Sequence, residues 1–293
     1  MNPKIIDTMA HDESPPRYLY HYTSIENALS IIVTDELRFS SIAESNDVWE
    51  VKNRRISRPD DGEYESWEVF TLNGIMNQSV FSISFVGGDE YPENGDIHCG
   101  ETTPGYFVAP AWELYGKRYG GVCLVFEADG LLRSSTTGEV ARWTTKDGPI
   151  SYDDREVARP VNIKRGREIV LEGSNPYRIF EVWLETVNTH YSDLFFIKSK
   201  DWEYEREYRV IRYPRQSDLF NGMARSDGRI AAPGIALGQS LIGIVAFTGT
   251  AESPLLKTIR KLKEPEIEFF RIVHTIDTFS IDRMAPSRER VPY

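Results

Sequence analysis

A strand running directly into a capped helix, between Arg17 and Ile32, constrains this chain more than any other stretch. Tyr18 to Tyr22 are residue types that favour β-structure, and Thr23 with Glu26 three positions on has the spacing of a capping box. Ile25, Ala28, Leu29 and Ile32 recur at helical spacing, so the following helix has one apolar face that can pack back on the strand. His21 falls at or near the strand end, where a side chain can reach a cleft. A histidine there is either a hydrogen-bonded structural residue or a functional one, and its neighbours alone do not decide.

Further strands are read from pattern. Ser79 to Phe85 alternates with period two, which puts Ser82 and Ser84 on one face and Phe81, Ile83 and Phe85 on the other. That is an ordinary half-buried strand or a pair of hydroxyls lining a cleft. Leu37 to Ser41 reads as a short strand, and Val122 to Phe126 as a buried one after a helix Ala109 to Tyr119 stopped by Gly120 and Gly121. Ile235 to Leu237 and Leu241 to Phe247 read as buried strands, Ser253 and Pro254 open a basic amphipathic helix to Lys263, and Ile267 to Val273 is the last strand expected. Glu44 to Asp47 reads as the cap of a helix entering Val48 and Trp49, Trp67 to Met76 as a helix, residues 86–105 as a long loop, and 129–160 as irregular. Helical spacing returns at Glu168 to Leu171 and at Ile179 to Val187. With neither GxGxxG nor a P-loop, a Rossmann fold is disfavoured. The expectation is an α+β fold: a polar arm over 1–16, one domain over 17–285 and a tail over 286–293.

Composition excludes several classes. No run of about 18 apolar residues occurs and the N-terminal stretch lacks a signal peptide's apolar segment, so a cytoplasmic protein without membrane association is expected. Cys99 and Cys123 are too few for a disulfide scaffold, and no CxxC or HExxH spacing points to a metal. A net charge of −11 argues against broad affinity for nucleic-acid backbone. The basic clusters Arg54, Arg55 and Arg58, then Lys164, Arg165 and Arg167, then Arg260 to Lys263, read as solvated faces.

The second stretch needing explanation is Asp201 to Arg212. If extended from Glu203, it places Glu203, Glu205, Glu207 and Arg209 on one face and Tyr204, Arg206, Tyr208 and Val210 on the other. That is a solvated, charged edge strand paired with Lys198 and Lys200, or a set of carboxylates bridged by a cation or a sugar hydroxyl. In a helix, Trp202, Arg206 and Arg209 would instead share a face.

Tyr20 to Ser24, Leu37 to Ser40, Asn46-Asp47 with Trp49-Glu50, Trp112 with Tyr115-Gly116, Gly121 to Phe126, and Trp202 with Glu205, Glu207 and Arg209 together resemble an uncharacterised bacterial domain family. Where that family has Asn-Asp-Pro, this chain has Asn46-Asp47-Val48. His21-Tyr22-Thr23 and Asn27-Ala28-Leu29 also resemble the opening of ADP-ribosyltransferases, notably the toxins that target DNA. That likeness implies a split β-sheet core binding NAD as co-substrate. His21 would bond a ribose, Glu207 would stabilise the oxocarbenium-like transition state, and Glu205 would accompany it in a Glu-x-Glu pair. Tyr22 and Phe39 are both candidates to pack on the nicotinamide, with Thr23 beside them. Ser82 and Ser84 resemble the Ser-Thr-Ser strand of another branch, which begins with Arg where this chain has His21. The activity implied is transfer of ADP-ribose to RNA, DNA or protein by a toxin or defence effector, with an antitoxin as possible partner. The rival expectation is a non-catalytic binding or regulatory module in which His21, Glu205 and Glu207 are structural.

Overall fold

The computed structural model describes residues 14–44, 56–57, 74–75, 77–97, 103–135, 143–157, 161–162, 176–215 and 232–286. The helix opening at Asn46-Asp47, most of the helix at Trp67 to Met76, the spacing at Glu168 to Leu171, His11, His98, Cys99 and the first two basic clusters lie outside them.

Strands in chain order are β1 Tyr18–Thr23, β2 Glu36–Leu37, β3 Ser40–Ser41, β4 Ile56–Ser57, β5 Phe81–Gly88, β6 Gly95–Ile97, β7 Val122–Glu127 and β8 Trp143–Pro149. They continue with β9 Ser151–Tyr152, β10 Val161–Asn162, β11 Ile197–Lys198, β12 Glu207–Pro214, β13 Ile235–Ala236, β14 Leu241–Phe247, β15 Glu268–His274 and β16 Phe279–Arg283. The main helices are α1 Ile25–Thr34, α2 Ala109–Leu114, α3 Ala128–Ser134, α4 Pro176–Phe195 and α5 Pro254–Lys263. Among the described residues none is long and apolar enough to cross a membrane.

Ten strands form one mixed sheet in the order β6-β16-β15-β14-β7-β1-β5-β12-β8, with β3 added on β5. Among the described residues its one parallel pair is β14 with β15, joined through the segment that contains α5; the other pairings are antiparallel. The fold is thus mixed α and β around an extensive sheet. One face carries Leu19, Ile83, Phe85, Leu124, Phe126, Val210 and Ile244, covered by Ala28 and Ile32 of α1 and Leu256 and Ile259 of α5. The opposite face carries Tyr20, Tyr22, Val125 and Val245 against Trp112 of α2. Each such apolar side chain removed from water contributes about 1.5–3 kcal/mol.

The pairing of β1 is unequal on its two edges. Against β7 it runs the full strand, Tyr18 with Glu127 to Thr23 with Val122. Against β5 it covers only Tyr18, Leu19 and Tyr20, opposite Gly88, Gly87 and Val86. Lower on the same edge of β5, β3 takes over at Ser82 and Phe81. Between them, Ile83 to Phe85 carry no strand partner on that edge among the described residues, while staying paired with β12 on the other. The sheet forks there.

Several expectations need correction. Ser24, not Thr23, caps α1, and its side chain accepts from the Asn27 amide at 3.1 Å. Thr23 remains in β1 because its backbone completes the ladder to Val122. The helix expected to reach Tyr119 ends at Leu114, and Lys117, Arg118 and Tyr119 are all left-handed before Gly121. The 129–160 stretch holds the end of α3 and β8, and the polar C-terminal region holds β16. β6 lies within the expected 86–105 loop. The acidic stretch is not extended from Glu203: Lys200–Glu205 is a 3-10 turn, Arg206 is left-handed (φ 45°), and β12 begins at Glu207. Nor is β12 an edge, since it lies between β5 and β8 with every residue buried.

Candidate functional site

A cavity of about 240 Å³ opens at the fork, lined among others by His21, Tyr22, Arg38, Ser40, Ser82, Ser84, Tyr115, Glu205 and Glu207. Its floor is the stretch of β5 that, among the described residues, has no strand partner on the edge facing β1. Ser84, central in that strand, is exposed, and Ser82 is half-buried. The expected alternation holds: through pairing with β12, Ser82 and Ser84 lie on the face of Arg209 and Ile211, and Ile83 and Phe85 on that of Val210 and Tyr208.

Ser84 touches both principal candidates. Its Oγ donates to Glu207 Oε1 at 2.5 Å, and its main-chain carbonyl lies 3.2 Å from His21 Nδ1. A carbonyl only accepts, so Nδ1 carries the proton and Nε2 is left as an acceptor. Burial lowers the His21 pKa from its ordinary value, partly opposed by the Ser84 bond, and this favours the neutral ring. By the pleat, His21 shares a face with Leu19 and packs near Phe85, with ring centroids 5.8 Å apart, whereas Glu207 lies on the other face. The two side chains meet one cavity because the sheet opens between their strands.

Glu207 is 3% exposed and its charge is matched locally. Arg209 Nε lies 2.6 Å from Oε1 and Lys198 Nζ 2.6 Å from Oε2. Burial disfavours the carboxylate, but Arg209 and Lys198 outweigh it and hold the carboxyl well below the usual range. The Glu207 amide donates to Tyr152 Oη at 2.8 Å, which fixes the first residue of β12. Glu205, at the end of the 3-10 turn and 5% exposed, bonds Lys198 Nζ at 2.9 Å through Oε2 and accepts from Tyr115 Oη at 2.7 Å through Oε1. The turn and the left-handed Arg206 thus bring Glu205 and Glu207 onto one ammonium without a shared strand face. Lys198 pairs as the charged-strand reading expected, yet inside the fold.

The remaining candidates divide. Tyr22 lines the cavity, but its hydroxyl donates to the Gly105 carbonyl at 2.6 Å and accepts from the Val108 amide at 3.0 Å. Thr23 is buried and Phe39 packs beneath the Arg212 guanidinium, 4.7 Å from its ring centroid; neither lines the cavity. Pattern reasoning missed Tyr115 as a partner of Glu205, and Arg38 and Ser40 at the cavity wall. Tyr115-Gly116 stood out as a motif, but nothing in it showed which carboxylate the ring meets. Among the described residues no group of three or more His, Cys, Asp or Glu is placed to hold a metal ion.

Residues 111–210 match the model of a family described as a protein of unknown function, DUF2971. The matched span holds Tyr115, Lys198, Glu205, Glu207 and Arg209 and excludes His21, Ser82 and Ser84. No curated protein matches the chain.

Proposed function

We propose that the protein is an ADP-ribosyltransferase-like toxin or defence effector that transfers ADP-ribose from NAD to a macromolecule, nucleic acid being favoured over protein. The observation that supports this reading is the double role of Ser84, whose hydroxyl serves Glu207 and whose carbonyl serves His21 within one cavity. The fork between β1 and β5 agrees with a split-sheet core of the transferase type. The resemblance at His21-Tyr22-Thr23 supplies the chemistry, and an antitoxin partner belongs to the proposal by the same analogy.

Breaking the bond between nicotinamide and ribose builds positive charge on the sugar. An ionised carboxylate beside it stabilises that charge more in the transition state than in the ground state. Glu207 meets this need because Arg209 and Lys198 keep it ionised despite burial. The nicotinamide leaves as a neutral ring, so no strong general acid is required. His21 Nε2 offers an acceptor to a ribose hydroxyl. Of the two rings considered for the nicotinamide, Tyr22 borders the cavity and Phe39 does not.

One observation favours the binding-module reading: both Glu207 oxygens are engaged by buried cations, as in a structural ion-pair network. The two readings separate on labelled NAD in cell extract, with protein, RNA and DNA fractions counted separately. Wild type should release nicotinamide and label one fraction, and Glu207→Gln should be slower by about 10²–10³-fold. Folded wild-type protein that binds NAD without releasing nicotinamide would establish the module instead.

A further inference from the structure

Glu205 borders the cavity with both of its oxygens engaged. It is 5% exposed, Oε2 lies against Lys198 Nζ and Oε1 accepts from Tyr115 Oη at 2.7 Å. Tyr115 is the outer member of this pair: it is 36% exposed and lines the cavity. Its place is set by a rigid platform. It follows α2 directly, with its amide on the Ala111 carbonyl at 2.9 Å. Trp112, fully buried, donates Nε1 to the Tyr106 carbonyl at 3.0 Å. A Cβ on Gly116 would come within 2.7 Å of the Trp112 ring, so the chain can turn away only with glycine after Tyr115. Burial and the neighbouring Glu205 raise the phenol well above the ordinary tyrosine range, so it remains a donor at neutral pH.

We propose that Tyr115 relays the acceptor's proton to Glu205, which deepens the transferase reading and rests on it. As the acceptor atom X attacks the ribose carbon, the X–H proton passes to Tyr115 Oη and the Tyr115 proton passes to Glu205 Oε1. The X lone pair forms the new bond to carbon, and the carbon–nitrogen pair leaves with nicotinamide and cancels its positive charge. Glu205 then returns its proton to solvent through Tyr115. Such a relay serves acceptors that must lose a proton, such as a hydroxyl or the N–H of a base or amide. An acceptor carboxylate, already ionised, has no use for it.

The test is Tyr115→Phe, which keeps the ring and its packing, with Glu205→Gln as a second variant and thermal midpoints recorded for both. With the acceptor fraction saturating, transfer by Tyr115→Phe should fall about 10²-fold, in the range of general-base assistance. Transfer should fall by about tenfold more than nicotinamide release without acceptor does, since a relay acts on the acceptor's proton. The residual transfer should rise about tenfold per pH unit as the acceptor ionises unaided, while wild type stays flat near neutrality. Wild-type transfer by Tyr115→Phe, or an equal loss of transfer and release, overturns the relay and leaves the transferase reading standing. A wild-type protein that releases no nicotinamide overturns both.

Discussion

Two carboxylates and two cations lie where water scarcely reaches, and their formal charges cancel. Lys198 joins Glu205 to Glu207, so its removal leaves two anions facing the Arg209 cation and the Ser84 and Tyr115 hydroxyls. Lys198→Met should destabilise the protein by about 3 kcal/mol at pH 7, the cost of an uncompensated buried charge. The pH dependence has a defined sign. Folded Glu207 binds its proton less readily than the unfolded residue, whose ordinary value is 4.5. The stability it confers is present above that value and is lost as pH falls through the folded pKa. The Met variant loses that benefit, so urea unfolding should show most of the gap between the two proteins persisting at pH 4 and narrowing only as the pH falls further toward the folded pKa. A gap that stays at its pH 7 size down to the most acid condition in which both proteins fold would sink the assignment of Lys198 as the counter-charge. The sequence suggested Lys198 as a partner of these carboxylates, but on a solvated edge strand; neither its burial nor the turn was readable from Asp201 to Arg212, where alternating charges suggest a strand. The 3-10 turn arises because Ser199 caps it, accepting from the Asp201 amide, and Arg206 ends it in a left-handed conformation.

Among the elements, those with strong local pattern were legible: β1, α1, β5, β7, β14 and α5 lie where periodicity and caps place them. β8 was not, because Trp143-Thr-Thr-Lys-Asp-Gly-Pro149, which among the described residues pairs only with β12, does not show a clean alternation. β16 was hidden by its five-residue length, although Ile281 is buried. The fork itself depends on where β1 stops pairing with β5, which no local pattern encodes. The end of β1 is also held from the side: a Cβ on Gly121 would come within 2.2 Å of the Thr23 carbonyl oxygen. Gly121→Ala must push β1 and β7 apart two residues beyond His21. We expect a loss of about 1–3 kcal/mol, as for other overpacked sites. An unchanged denaturation midpoint would show that the two strands yield there at no cost.

At the scale of the whole molecule, one side of the sheet depends on residues near the end of the described chain. β16 stands between β15 and β6, and Ile281 packs at 1% exposure. Ending the chain after Ile276 uncovers the edge of β15 with Phe270 and Ile272, both buried in the intact protein. An exposed apolar edge recruits other chains. The truncated protein should elute as oligomer or aggregate in size-exclusion chromatography; a stable monomer with unaltered melting would contradict this role for β16. The site has the opposite relation to chain order. Ser84 and Glu207, whose side chains touch, are 123 residues apart. At roughly 5–20 residues per second of synthesis, the second follows the first by roughly 6–25 s. A ribosome-bound chain therefore carries His21 and Ser84 without Glu207 through much of its own translation, and the cavity they line is completed only once the later strands have been made.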